Sequence, residues 1–133
     1  MATIKKFEDL GAWKKARVLA NQVYDASDEG RFARDFALRD QMRRAAISVL
    51  SNIAEGFERG GDKEFLQFLA LAKGSVGELR SQLYLASDRK YIAPAQFKQL
   101  SAAATEISRM VAGLMDYLGK SKLRGSKYRH DDE

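Results

Sequence analysis

The run Glu64-Phe-Leu-Gln-Phe-Leu-Ala-Leu-Ala-Lys-Gly-Ser-Val-Gly-Glu-Leu-Arg-Ser-Gln-Leu-Tyr-Leu-Ala86 decides the fold class. Within it Phe65, Leu69, Ala72, Val76, Leu79, Leu83 and Ala86 recur at alternating steps of four and three. That spacing keeps every one of them on a single helical face, so it predicts a helix from about Lys63 to Asp88. The stripe is narrow and heptad-like, which favours neighbours crossing at a shallow angle of about 20°.

Working outward, three further segments carry the same period. From about Phe36 to Arg59, Leu38, Met42, Ala45, Ala46, Val49 and Ile53 form one broad face. From about Glu8 to Asp28, Leu10, Trp13, Ala16, Ala20 and Val23 fall at steps of three and four. From about Pro94 to Leu118, Phe97, Leu100, Ala104, Ile107, Val111, Leu114 and Leu118 do the same. No segment alternates with period two over a strand's length, which predicts an all-α chain. The punctuation agrees: Asp35 and Asp62 are placed to cap helices, Pro94 to open one, and Gly60 and Gly119 to close them. Short connections make consecutive helices antiparallel. The expectation is an antiparallel up-down-up-down four-helix bundle over residues 1–119, followed by a basic, flexible C-terminal arm over residues 120–133.

Composition narrows the function. The 133 residues suit one domain. Cysteine is absent, which excludes a disulfide framework, a zinc knuckle and a thiol nucleophile. No secretory leader or membrane-length apolar run is visible, so a cytoplasmic protein without membrane contact is expected. The only histidine is His130, in the arm. A Ser-His-Asp triad within the bundle and the Glu-x-x-His di-metal site of some bundles are thereby excluded. Glu55 and Glu78 are too far apart along the predicted hairpin, at about 15 Å, for paired-carboxylate hydrolysis. No cofactor, metal site or enzymatic activity is expected.

The hairpin arithmetic gives those residues a structural use. If the second and third helices turn at Gly60-Gly61, helical register gives facing residues numbers that sum to about 122. Arg44 then faces Glu78, Gln41 faces Gln82 within one residue, and Ser48 faces Gly74 and Ser75. A polar seam of Gln41, Arg44, Ser48, Asn52, Glu55, Ser75 and Glu78 is expected, fixing register more than adding stability. Small residues, Ala45, Ala46 and Ser48 against Ala72, Gly74, Ser75 and Gly77, let the two backbones approach.

The net charge is +5 and the isoelectric point about 9.5, which favours acidic partners. Candidate phosphate contacts are Arg39 and Arg43 on the second helix and Lys120, Lys122, Arg124, Lys127 and Arg129 in the arm, where Tyr128 adds an aromatic. A solvated tail is the competing reading of the arm. No standard nucleic-acid-binding signature is present.

Leu38-Arg-Asp-Gln-Met-Arg-Arg-Ala-Ala-Ile-Ser-Val-Leu-Ser-Asn-Ile-Ala-Glu-Gly56, together with Glu64 to Leu79 and the opening Phe7-Glu-Asp-Leu10 with Trp13 and Ala16, resembles the 23S rRNA-intervening sequence protein family over about residues 4 to 119. The matching polar and glycine positions are Gln41, Arg44, Ser48, Asn52, Glu55, Gly56, Gly74, Ser75 and Glu78. The resemblance implies a bundle assembled into a ring, typically a homopentamer, with no enzymatic activity. Some members are encoded inside insertions in large-subunit rRNA genes. Related proteins are accessory subunits of diversity-generating retroelements, where a basic surface meets RNA and a reverse transcriptase. Two readings follow: a homo-oligomeric binder of RNA or DNA, or a protein–protein adaptor. In the second, Trp13, Phe57, Phe68 and Tyr84 would serve as contacts beyond the core.

Overall fold

The computed structural model describes the backbone of residues 4–132 and the side chains of residues 4–120. Its elements are a 3₁₀ turn at Phe7–Asp9 and the helices α1 (Gly11–Ala26), α2 (Gly30–Arg34), α3 (Phe36–Glu58), α4 (Asp62–Asp88) and α5 (Pro94–Asp132). Among the described residues there is no strand. The chain is all-α, as the periodicity requires.

The buried residues of α4 are the seven of the stripe, Phe65 through Ala86, and no others. A heptad spacing holds one line of side chains inward along the whole helix, and α4 is lined by neighbours on both flanks: α3 packs along one side and α5 along the other. α1 packs against α3 and α5. α3 contributes Leu38, Met42, Ala45, Ala46, Val49 and Ile53, and also Gly56. α5 contributes Leu100, Ala104, Ile107, Val111 and Leu118, with Phe97 and Leu114 packed at the rim. In α1 the periodic residues Ala16, Ala20 and Val23 are joined by Ala12 and Leu19. Trp13 is half-buried and meets Phe7 edge-on at 5.1 Å.

α3 and α4 run in opposite directions, since Arg44 meets Glu78, Ser48 meets Ser75 and Gly56 lies against Phe65 and Phe68. At Gly56 there is no room between the two helices for a side chain. A Cβ there would lie 2.6 Å from the Phe68 Cβ, closer than packed carbons sit, and 3.1 Å from the Phe65 ring, which is tight.

α2 is not legible as a period, because five residues make barely one turn. Its Phe32 is buried and stacks on Tyr91 with ring centroids 5.1 Å apart. The helix closes the core at the end where α3 begins and α4 stops.

The helix ends agree with the sequence in part. Asp35 caps α3 by accepting the Leu38 N–H at 3.1 Å. Pro94 is the first residue of α5, and the Ala93 N–H is taken by Gln96 Oε1 at 3.1 Å, one half of a capping box. Gly60 has φ +84°, the left-handed region where glycine costs least. Two expectations are corrected. Gly61, not Asp62, occupies the N-cap of α4. Asp62 lies in the first turn with Glu64, where negative charge meets the positive end of the helix dipole. Gly119 does not end the last helix: α5 runs through it to Asp132, so the expected boundary between residues 119 and 120 falls within one helix. Good helix formers flank Gly119, and one interior glycine costs only about 1 kcal/mol.

α4 ends in a Schellman turn: Tyr91 N–H donates to Ala86 O and Lys90 N–H to Ser87 O, both at 2.9 Å. The left-handed position that closes this motif is usually glycine. Here it is Lys90, at φ +60°, the only non-glycine residue with positive φ among the described residues.

The same substitution at two glycines should have opposite effects. Gly56→Ala is expected to destabilise the fold by about 1–3 kcal/mol through overpacking against Phe68. A Cβ at Gly74 meets nothing within 4 Å, and Gly74→Ala is expected to stabilise by up to about 1 kcal/mol through helix propensity. Urea unfolding of both variants checks the pair; shifts of the same sign would contradict the α3–α4 contact.

Candidate nucleic-acid interface

The α3–α4 seam forms at the expected register. Arg44 Nη2 donates to Glu78 Oε2 at 2.6 Å and to Gln41 Oε1 at 2.7 Å. Gln82 Nε2 also donates to Glu78 Oε2, at 3.4 Å. The Ser48 and Ser75 hydroxyls are 2.8 Å apart, and Asn52 Nδ2 donates to Ser48 O at 2.8 Å and Ser48 Oγ at 2.9 Å. Glu55 stands apart from the seam, paired at 3.0 Å with Arg59, the residue just past the end of its own helix. Because Arg44 and Glu78 are well exposed, solvent screening leaves the pair little net energy. The seam's polar contacts hold the two helices in one alignment.

Arg39 and Arg43, the candidate phosphate contacts of this helix, are both engaged within the fold. Arg43 Nε donates at 2.8 Å to the Ser27 hydroxyl, which is fully buried and itself donates to Val23 O at 2.7 Å. The Arg43 guanidinium carbon lies 4.5 Å from the Tyr24 ring centroid, and its Nη2 lies 3.8 Å from Asp28 Oδ1. Arg39 donates to Ala33 O at 2.9 Å and Asp40 Oδ1 at 2.8 Å, and its guanidinium carbon lies 4.7 Å from the Phe36 centroid. Both arginines thus tie α3 to the elements before it. Each also supports an aromatic ring that faces outward: Phe36 is 63% exposed and Tyr24 40%. A cation on one face of a ring leaves the other face available for stacking.

The adjoining corner gathers further cations, which sequence reasoning missed because they sit in a five-residue helix and a turn. Arg31 Nη2 donates to Arg89 O at 3.0 Å, and its guanidinium carbon lies 5.5 Å from the Tyr91 centroid. Arg34 and Lys90 are exposed and make no ion pair among the described residues. Asp35 holds the corner together. Besides capping α3, it accepts the Tyr91 hydroxyl at 2.9 Å through Oδ2. The Leu38 N–H first, then the Tyr91 hydroxyl, and less so the charge of Arg89, hold its carboxyl below the usual range, against the opposing effect of burial.

Lys120 pairs with Asp116 at 3.1 Å. The side chains of Lys122, Arg124, Lys127 and Arg129 lie outside the described residues. Of the four aromatics considered as extra contacts, Phe57 packs edge-on against Phe65 and Phe68 lies under the Arg59 guanidinium. Trp13 meets Phe7 and Arg17. Tyr84 touches Phe97 yet stays 63% exposed. Among the described residues no group of three or more His, Cys, Asp or Glu side chains is placed to hold a metal ion, and no helix is long and apolar enough to cross a membrane.

A carboxyl whose folded pKa is depressed stabilises above its unfolded pKa, and that contribution is lost as pH falls through the folded value. Asp35→Ala should therefore lower the thermal midpoint at pH 7. The gap to the wild type should narrow as pH drops below about 4. Melting curves from pH 7 to pH 2.5, a range set at about these values to span the carboxyl titration, check both features.

No curated protein matches the chain in sequence. A solved structure is similar in fold: a protein of unknown function from the S23 ribosomal protein family of Bacteroides thetaiotaomicron. It has a TM-score of 0.73 and 20% identity, with 79% of this chain and 95% of that chain covered. The family model of the 23S rRNA-intervening sequence protein matches residues 8–113, a span that takes in α1, the α2 corner, the α3–α4 seam and the first half of α5. The chain belongs to the 23S rRNA-intervening sequence protein family.

Proposed function

We propose that this protein is a non-enzymatic, homo-oligomeric binding protein of the cytoplasm that associates with RNA or DNA. The observation that carries the reading is the α2–α3 corner with the adjoining end of α1, where outward-facing aromatics are backed by fixed arginines beside exposed cations that make no ion pair among the described residues. Interleaved cations and aromatics suit phosphates and bases together. The net charge of +5 adds a long-range attraction for polyanions, and assembly would multiply it. We infer that the four long helices form an antiparallel up-down-up-down bundle. The opposed directions of α3 and α4, and the packing of α1 on α3 and α5, support that arrangement.

Assembly into a ring, with the pentamer as the favoured size, is supported by one face. Leu71, Glu78 and Leu85 follow one another at seven-residue spacing on α4, and Ile47 lies one turn from Arg44 on α3. Leu71, Leu85 and Ile47 are 57%, 49% and 41% exposed. They flank the seam and the open backbone at Gly74. Apolar side chains lined up on a soluble helix pair suit contact with another protein. The same face supports the alternative, an adaptor that binds a protein partner such as a reverse transcriptase.

Binding of labelled structured RNA and duplex DNA at about 50 and 200 mM salt tests the reading. Affinity is expected to fall about tenfold or more across that range. A folded oligomer that binds neither would favour the adaptor. Leu71→Asp is expected to reduce the solution mass toward that of one chain without loss of helicity, as measured by light scattering and circular dichroism. An unchanged mass would remove this face from the interface.

A further inference from the structure

We propose that the corner built by α2, the start of α3 and the α4–α5 turn binds single-stranded nucleic acid, with phosphates against Arg34 and Lys90 and an unpaired base stacked on Phe36. The inference rests on the nucleic-acid reading above and names its substrate class.

Three observations converge. The first is Lys90. It fills the left-handed closing position of a Schellman turn, at φ +60°, where glycine would be unstrained. Its side chain is exposed and makes no ion pair among the described residues that would compensate. Backbone strain without a local return is a mark of function. The second is Phe36, which with Tyr84 is the most exposed large apolar side chain described. One face of its ring is held against the Arg39 guanidinium at 4.7 Å, and Arg39 is itself fixed to Ala33 O. The ring is thus orientated before any ligand arrives, which lowers the cost of ordering it on binding.

The third is that the cations and the ring belong to one rigid assembly. Arg31 bonds to Arg89 O and lies over Tyr91; Tyr91 stacks on the buried Phe32 and donates to Asp35; Asp35 caps the helix that begins with Phe36. Arg34 stands between Arg31 and Phe36 in sequence, one turn beyond Arg31. The α4–α5 turn that carries Lys90 is therefore locked to the helix start that carries Phe36. Duplex DNA hides its base faces and offers no ring a stacking partner, whereas an unpaired strand offers both phosphates and π-faces.

The test uses the full chain and a fluorescein-labelled oligothymidylate of about 20 nucleotides, a length chosen to exceed single-domain site sizes, against a duplex of equal length at low salt. The wild type is expected to bind the single strand more tightly than the duplex. Phe36→Leu, which keeps a helix-compatible side chain at an exposed site, should weaken single-strand binding about fivefold or more and leave duplex binding nearly unchanged. Lys90→Gly keeps the turn and should raise the melting temperature. It should also weaken binding and reduce the slope of log affinity against log salt by about 0.7. If the wild type binds nucleic acid but both variants match it, the corner is not the site and the proposal falls while the nucleic-acid reading stands. Equal affinity for duplex and single strand overturns the proposal in the same way. If the wild type binds neither strand form, the nucleic-acid reading itself falls.

Discussion

The close approach of α3 to α4 at Gly56 governs the rest of the structure. With no side chain there, the Phe68 Cβ comes within 2.6 Å of where a Cβ at residue 56 would be, and the two helices interlock at one height. Once that height is set, Ser48 must meet Ser75 and Arg44 must meet Glu78 further along the pair. These polar contacts are half-exposed and weak in net energy, but a shift of one helical turn would break all of them together and leave part-buried hydroxyl and amide groups without partners. Apolar burial along α4 supplies the driving force; the glycine and the seam choose one alignment from several that would bury similar area.

That alignment also determines what lies at the end of the pair. It sets the start of α3 beside the end of α4, so Asp35 reaches Tyr91 and Arg31 reaches the Arg89 carbonyl. α2 then fits between them, with Phe32 filling the opening over the core. The cations of this corner are presented by short, well-anchored backbone, as a binding surface requires when its ligand is to be held without first ordering the protein. The chemistry of the corner is charge, donor groups and ring faces.

The long helices were legible in the sequence because a heptad of apolar residues has few other meanings. The seven stripe residues of α4 are its buried set, and the sum of 122 relating Arg44 to Glu78 could be written down once Gly60-Gly61 was read as the turn. Legibility failed where the signal was short or ambiguous. α2 has too few residues for a period. Gly119 looked like a stop because glycine often is one, yet an isolated glycine among good helix formers is tolerated. Arg39 and Arg43 appear in sequence as cations only; that each is bound to a carbonyl or hydroxyl and to a ring depends on where α1 and α2 fold back. Lys90 gave no sequence signal, since a lysine in a left-handed turn is written like any other. Phe36 read as the first residue of a helix, and its exposure follows from the turn of the helix away from the core.

The central claim is that the α2–α3 corner with the α4–α5 turn is the surface that meets nucleic acid. The most direct measurement is a map of backbone amide shifts across the full chain as a single-stranded oligonucleotide is added. The account predicts that the largest changes fall within residues 29–43 and 88–92. Changes confined to residues 121–133, or to the outer face around Ile47, Leu71 and Leu85, would contradict it.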